Sequence, residues 1–556
     1  LKKYFVKTAG KFLTISNAPV HKTFLPSAQA LSIYRKIMTE NFKYKNNITK
    51  KNLFYEKVSK KYTHIDFPLT KEESNIFEKS LLNWKKIKTH RFLPMITFNI
   101  TFKKYPNNGK KNIKRRKISL VSHYDAGVYF FLSKNLNKKY NDFSYDQNIS
   151  DVAVAYRSDL KNNTKISNIT VAKEVFDFID KQNGTWIMKG DFKNFFDRLN
   201  HCYLEKNMLK VLNLEDKSLE YESWIKVLDK LTNYKYIEKN KIENYITNPE
   251  KKVYKKNPKK FRKAYFESRE EFGIFIKNHL ELIKQNKKKG IPQGTSISAI
   301  LANVYMIEFD KFVKQMVTSK GGIYRRYSDD FIIVIPKEKN NINDFKKLYN
   351  EIIMNSKKIV DLEISDKKTK QISESKGFFT DVSTEKTCGL DYLGFLYQDN
   401  TVSIRGKSIY KFYYRGRRSI HSTYFNSLIY NVVKDEYSNK NFEINDDNAY
   451  KILITNNFIN KNTNKFKVKL YLKRTERIMY KVRENVALPD IKKTHTRYLM
   501  HIEKSSPKHS FLSYAKNCEK VFSKNNPSYK ISFLKQANKS RNRLIKLKND
   551  LNAQNK

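Results

Sequence analysis

Tyr324-Arg325-Arg326-Tyr327-Ser328-Asp329-Asp330-Phe331-Ile332-Ile333-Val334-Ile335 is the stretch on which the reading of this chain turns. Two adjacent carboxylates stand between a basic run and an apolar run. The pattern is that of two short strands joined by a tight turn with both acids at the turn. Like charges side by side are unfavourable unless a cation neutralises them. The apolar strand that follows fixes the direction of the pair, as a rigid metal site requires. A solvated Ser-Asp-Asp hairpin turn is the plain alternative for these residues taken alone.

Upstream, Trp186-Ile187-Met188-Lys189-Gly190-Asp191 reads as a strand ending in an acid, followed by an aromatic turn, Phe192 to Asp197. Gly290-Ile291-Pro292-Gln293-Gly294 leads into an apolar helical pattern over Ile297 to Phe312, and its glycines let backbone approach a substrate closely. Phe92 to Phe102 is strand-like, Pro106-Asn107-Asn108-Gly109 is a turn, and Lys110 to Lys117 returns as a cationic strand. Such a hairpin is either a solvated basic turn or a clamp for a triphosphate. After the Asp pair, Phe345 to Val360 reads as a helix, and Asp391 to Leu396 as a short apolar hairpin arm.

The remainder sets bounds. At 556 residues the chain has room for several cores. Lys plus Arg number 111 against 55 Asp plus Glu, a net +56. A/T-rich codons account for part of the lysine but not for the scarcity of acids, and a polyanion is the natural complement. The 36 tyrosines and 37 phenylalanines offer surfaces on which bases stack. Three scattered cysteines, Cys202, Cys388 and Cys518, form no C-x-x-C, which speaks against a disulfide framework or a zinc ribbon. No apolar run is long enough to span a membrane and no signal segment opens the chain, so no membrane partner and a cytoplasmic location are expected. Helical patterns over Ala28 to Asn41 and Glu73 to Trp84 lie in a basic N-terminal extension, 1–90. Residues 230–270 read as an insertion. The region 401–556 reads as basic and helical, with one apolar stripe through Phe511, Leu512, Ala515, Cys518, Val521 and Phe522 and another through Leu534, Ala537, Leu544, Leu547 and Leu551. Both stripes are expected to be core.

Taken in order, Asp191 with its aromatic turn, Gly-Ile-Pro-Gln-Gly, Tyr-Ser-Asp-Asp, Lys368-Thr369 and Leu393-Gly394-Phe395 resemble the successive palm motifs of reverse transcriptases over about residues 92–400. More closely the set resembles the bacterial lineage of retrons, group II introns and the defence-associated, abortive-infection and "unknown group" enzymes. It departs from that pattern in having Ser328 where Ala is usual, and in a long gap between Asp191 and Gly290. The resemblance implies an α+β right-hand polymerase fold: fingers and palm over 91–400, a helical thumb and nucleic-acid-binding region over 401–556, and basic, mainly helical extensions at both ends.

It further implies two Mg2+ ions, with Mn2+ able to substitute, held by Asp191, Asp329, Asp330 and the carbonyl of Phe192. Lys368 would protonate pyrophosphate. Arg115, Arg116 and Lys117 would clamp the dNTP, Phe196 would exclude a ribose 2′-hydroxyl, and Gln293 and Gly294 would meet the nascent pair. Tyr156, Arg157, Tyr327, Tyr392, Leu393 and Gly394 would contact template and primer. Tyr514 and Tyr529 are candidates for protein priming. The expected activity is RNA-directed DNA polymerisation, templated or nearly untemplated, on a bound structured non-coding RNA, with dNTPs consumed and a DNA product. Antiphage defence and an RNA-organised homo-oligomer complete the expectation. The alternative is an RNA-binding structural subunit that retains the polymerase fold.

Overall fold

A computed structural model describes residues 52–60, 64–104, 112–157, 166–246, 256–257, 262–266, 268–286, 289–437, 443–460, 462–486, 488, 490–504 and 510–553. The expected helix Ala28 to Asn41 and the turn Pro106 to Gly109 lie outside these residues. The chain divides into two units, Leu1–Glu56 and Lys57–Lys556. In the first, the described residues are 52–56, at the start of a helix that runs Leu53–Val58. Everything below concerns the second.

Strands β1 (Met95–Lys104) and β2 (Asn112–Leu120) form the expected hairpin, with Ile100 opposite Arg116. β3 is Thr185–Asp191, and β4 (Lys235–Glu238) pairs parallel to β1. The segment read as an insertion therefore supplies a strand to the hairpin's sheet, because its apolar partners are distant in sequence. Ile237, Ile242, Tyr265, Phe266, Phe272 and Phe275 pack with Ile65 and Ile96. β5 (Lys256–Asn257) pairs with β6 (Arg262–Lys263), and β7 (Lys284–Gln285) completes the first sheet in the order β2-β1-β4-β7.

The second sheet holds β8 (Ile323–Tyr327), β9 (Asp330–Pro336), β10 (Lys370–Ser375), β11 (Phe378–Asp381) and β12 (Thr387–Cys388), in the order β12-β11-β10-β3-β9-β8. β9 is flanked on both sides, by β3 and β8, and Phe331 to Ile335 are all buried, as a continuous apolar run in an interior strand should be. Helix Ile342–Val360, longer than the expected 345–360, starts at a capping box on Asn341. The helix expected over Ile297 to Phe312 is two helices, Ser298–Tyr305 and Ile307–Ser319, breaking at Met306.

A third sheet, β13 (Leu390–Tyr392), β14 (Phe395–Gln398), β15 (Thr401–Ile404) and β16 (Lys530–Ile531), joins residues on either side of position 400. One core runs from Val175 and Phe176 through Tyr397 to Leu512, Ala515, Cys518, Phe522, Phe533, Ala537 and Leu544. Both C-terminal stripes thus enter that core. Helix Gly406–Tyr437 spans 32 residues. Its distal half carries a separate core with helices Asp446–Thr455 and Lys465–Arg483. Among the described residues no helix is long and apolar enough to cross a membrane.

Asp66 anchors the N-terminus of helix His123–Asp146. Its carboxylate accepts the His123 N–H at 3.1 and 3.2 Å, His123 Nδ1 at 2.7 Å and His64 Nδ1 at 3.2 Å. The two imidazoles stack at 3.7 Å, and all three side chains are buried. A buried carboxylate at a helix start is stabilised by the unpaired N–H groups there.

Candidate active site

β3 ends on an acid and β9 begins on one. The antiparallel register sets Asp191 opposite Asp330 and Gly190 opposite Phe331. A Cβ on Gly190 would lie 2.2 Å from the Phe331 ring, so glycine is required for the two strands to close. Tyr327 pairs with Asp330, which leaves Ser328-Asp329 as a two-residue turn with Ser328 at φ 63°. Such a turn follows the natural twist of its strands. The Phe192 N–H donates to the Asp329 carbonyl at 3.2 Å and ties the two acidic strand ends together.

The electrostatics follow from this crowding. Burial raises the Asp330 carboxyl, and Asp329 and Asp191 raise it further, to about 6. Burial and Asp191 raise Asp329 as well. Lys368 Nζ forms an ion pair with Asp191 Oδ1. Oxygen donors with surplus negative charge fit a hard divalent cation such as Mg2+. Among the described residues, the cluster whose three ligand atoms all lie within 4.8 Å of one another is His64, Asp66 and His123. The aspartates are therefore an open set, and the His-Asp-His group is accounted for by its role as a helix cap.

Support comes from behind the turn. Arg326 and Asp310 are both fully buried and joined by two bonds, 2.8 and 2.6 Å. Arg326 also donates to the Ser328 carbonyl at 3.0 Å, and Tyr324 donates to Asp310 at 2.9 Å. Sequence reading passed over this pair, since nothing local marks Arg326 as buried in a basic run. It also missed Lys189, whose Nζ donates to the Asp391 carbonyl and which lies close enough to Asp330 to lower its carboxyl.

The Gly-Ile-Pro-Gln-Gly segment is held against the aromatic turn. Ile291 N–H donates to the Phe196 carbonyl at 2.9 Å, and Gly290 N–H to the Leu199 carbonyl at 2.7 Å. Ser119 N–H donates to the Gln293 carbonyl at 2.7 Å. Gly294 has φ 124°, and a Cβ there would come within 2.4 Å of the Ser119 carbonyl oxygen. Burial raises the Asp197 carboxyl, and Lys117 and Gln293 beside it oppose that rise. Asp197 was not singled out from the sequence.

The three expected clamp cations diverge. Alternation along β2 puts Arg116 on the face opposite Arg115 and Lys117. Arg116 lies near enough to Asp329 to lower its carboxyl, while Lys117 stands 3.6 Å over the Tyr236 ring. Arg116 and Lys114 line a cavity of about 620 Å³ with Lys407, Tyr410, Lys411 and Arg418. Tyr156 and Tyr327 come together with rings 6.3 Å apart.

Four of the expected site residues are packed within the protein. Arg157 is buried, donating to Asn141 at 2.7 Å, Ser144 at 3.0 Å and the Ser150 carbonyl, so its guanidinium joins two protein segments. Tyr392 is buried, leaving the Leu393-Gly394 turn as the accessible part of that arm. Tyr529 is buried with its hydroxyl donating to Asp177 at 2.6 Å, and burial raises it far above an ordinary phenol. The Tyr514 hydroxyl accepts from Asn168 at 3.0 Å, and its ring stacks on Phe395. Both hydroxyls are thus engaged within the protein, Tyr514 from helix Phe511–Phe522 and Tyr529 from the turn before β16.

Comparison with known proteins agrees with the motif order. The family described as "Reverse transcriptase (RNA-dependent DNA polymerase)" matches residues 109–397. Curated proteins gave no match. Among solved structures, apo telomerase from Candida tropicalis lacking its C-terminal domain is similar over 57% of this chain, with 13% identity and a TM-score of 0.32. The chain spans 60% of the length of that structure. Telomerase from Candida albicans in complex with a TWJ fragment of telomeric RNA is similar over 82% of this chain and 69% of its own, again with 13% identity and a TM-score of 0.32.

Proposed function

The chain belongs to the reverse transcriptase (RNA-dependent DNA polymerase) family, and from that premise we propose that it polymerises DNA from dNTPs on an RNA that it holds. The observation that carries this reading is the pairing of Asp191 with Asp330 beside Asp329, three crowded carboxylates that a scaffold has no physical use for. Asp191, Asp329, Asp330 and the Phe192 carbonyl would hold two Mg2+ ions, which when bound neutralise a triphosphate and acidify a primer hydroxyl. Arg116 takes the triphosphate. Phe196, fixed by Ile291 on its carbonyl, stands against a ribose 2′-hydroxyl. Gln293, beside Asp197, meets the nascent base pair. Lys368 Nζ, already on Asp191, delivers a proton to the leaving pyrophosphate.

The motif set resembles bacterial defence-associated enzymes, and by that analogy alone the proposal extends to a structured non-coding RNA partner and an antiphage role. The test is to sequence nucleic acid co-purified with the wild type and with Asp329→Ala/Asp330→Ala, before and after adding dNTPs and Mg2+. RNA in both samples with DNA only in the wild type is expected. No DNA in either sample overturns the polymerase reading. Unchanged phage plating across a broad panel after deletion of the locus overturns the defence role.

A further inference from the structure

Helix Lys465–Arg483 carries eight cations and one acid, Glu476. Glu476 lies beside Asp446 of the neighbouring helix and near Lys473, so a single acid on this helix stands against eight cations. The inward face, with Thr475, Ile478 and Met479, closes the separate core on the distal half of helix Gly406–Tyr437. At 100° per residue, Phe466, Lys469, Leu470, Lys473 and Tyr480 share the opposite face. All five are exposed: Phe466 by 79%, Leu470 by 40% and Tyr480 by 49%. Phe466 and Leu470, one helical turn apart, make a contiguous exposed apolar pair among the lysines.

From this alternation we infer that the outer face of Lys465–Arg483 is a binding surface for RNA with unpaired bases, lysines on phosphates and rings on bases. The inference rests on the proposed association with RNA and names the place where that RNA is held. Charge complementarity favours a polyanion. Interleaving decides which one: a helix lying on an anionic membrane segregates its apolar residues to one side, whereas here the segregated apolar side is already inside the protein. Stacking rings between cations is how single-stranded or looped RNA is gripped. Phe466 and Tyr480 lie about 21 Å apart along the axis, a span of several nucleotides. The surface is also separate from the catalytic cleft. The cleft cavity uses Lys407 to Arg418 of helix Gly406–Tyr437, whereas the distal core begins at Phe425, about 10 Å further along the helix, and extends to Val433. An RNA held here is anchored outside the copying site.

The experiment uses the full chain with two variants, Phe466→Ala/Tyr480→Ala and Lys469→Ala/Lys473→Ala. Affinity is measured for a stem-loop RNA, a blunt RNA duplex and anionic vesicles, and extension of an annealed primer–template is followed in the same preparations. The ring variant should bind the stem-loop at least about 10-fold more weakly and the duplex within about 2-fold of wild type. The lysine variant should lower the slope of log affinity against log salt by about 1.5. Extension should stay within about 2-fold for both variants. Wild-type-like RNA affinity in both variants overturns the inference, as does a preference for vesicles over RNA or a parallel loss of extension. Whether the wild type extends at all is read from the same preparations and reports separately on the polymerase assignment.

Discussion

Asp191 and Asp330 face each other across β3 and β9, with Asp329 beside them in the turn. Burial first, and then the charges of Asp329 and Asp191, raise the Asp330 carboxyl to about 6. Its folded value lies above its unfolded one. The resulting penalty is present at pH 7, fades as pH falls through 6 and is gone below about 4. Asp330→Asn should therefore stabilise the metal-free protein at pH 7 by about 1–2 kcal/mol, a partly exposed group counting for less than its full shift. The same change should remove nucleotide incorporation. Thermal melts in chelator and in Mg2+ check it: the gain should shrink when Mg2+ is present, and a variant less stable than wild type in chelator contradicts the account.

Behind the turn, the buried pair Arg326–Asp310 sets where Ser328 and Asp329 lie. Removing one partner strands a buried charge, at a cost of about 3–5 kcal/mol. Arg326→Met should show that loss in urea denaturation, whereas Arg326→Met/Asp310→Leu should recover most of it, since no charge is left unpaired. The double variant should still incorporate nucleotide slowly, because the Ser328 carbonyl has lost its donor. Full recovery of both stability and rate would mean that Arg326 plays no positioning role.

Phe196 is half-buried, packed edge-on to Phe195 at 5.4 Å, and its carbonyl holds Ile291. The backbone contact survives truncation of the ring. Phe196→Ala should therefore keep dNTP incorporation and lower discrimination against NTPs by about one to two orders of magnitude. The ratio of kcat/KM for dNTP and NTP measures this. An unchanged ratio would return the ring to an ordinary packing role.

The site was legible where chemistry and local pattern coincide. Asp191, the Asp329-Asp330 turn and the glycines of 290–294 are marked by their neighbours in sequence, and the structure brings them together. What was not legible depends on distant partners. Lys235–Glu238 is a strand because β1 lies beside it, not because of its own composition. Arg157 and Arg326 look like any surface arginine until Asn141 and Asp310 are placed against them. Tyr529 reads as any tyrosine until Asp177 is placed against its hydroxyl.

His64 is one such residue, and its consequence is measurable. Burial holds its imidazole down at about 4, with His123 and Lys60 adding to the shift and Asp66 opposing it. In the unfolded chain it takes a proton near pH 6.5. Between those values the unfolded state binds a proton that the folded state refuses, so stability is full above about 6.5 and declines as pH falls towards 4. Asp66 is held far below the usual carboxylate range, so its own contribution is lost only under more acid conditions and does not confuse the window. The wild type should lose about 2.5 kcal/mol through His64 between pH 7 and 4.5. His64→Asn should be less stable at pH 7, since a partner of Asp66 is altered, yet its stability should fall less steeply over the same range. Urea midpoints at pH 7, 6, 5 and 4.5 decide the matter, and parallel curves for the two proteins would show that His64 is not the group that titrates.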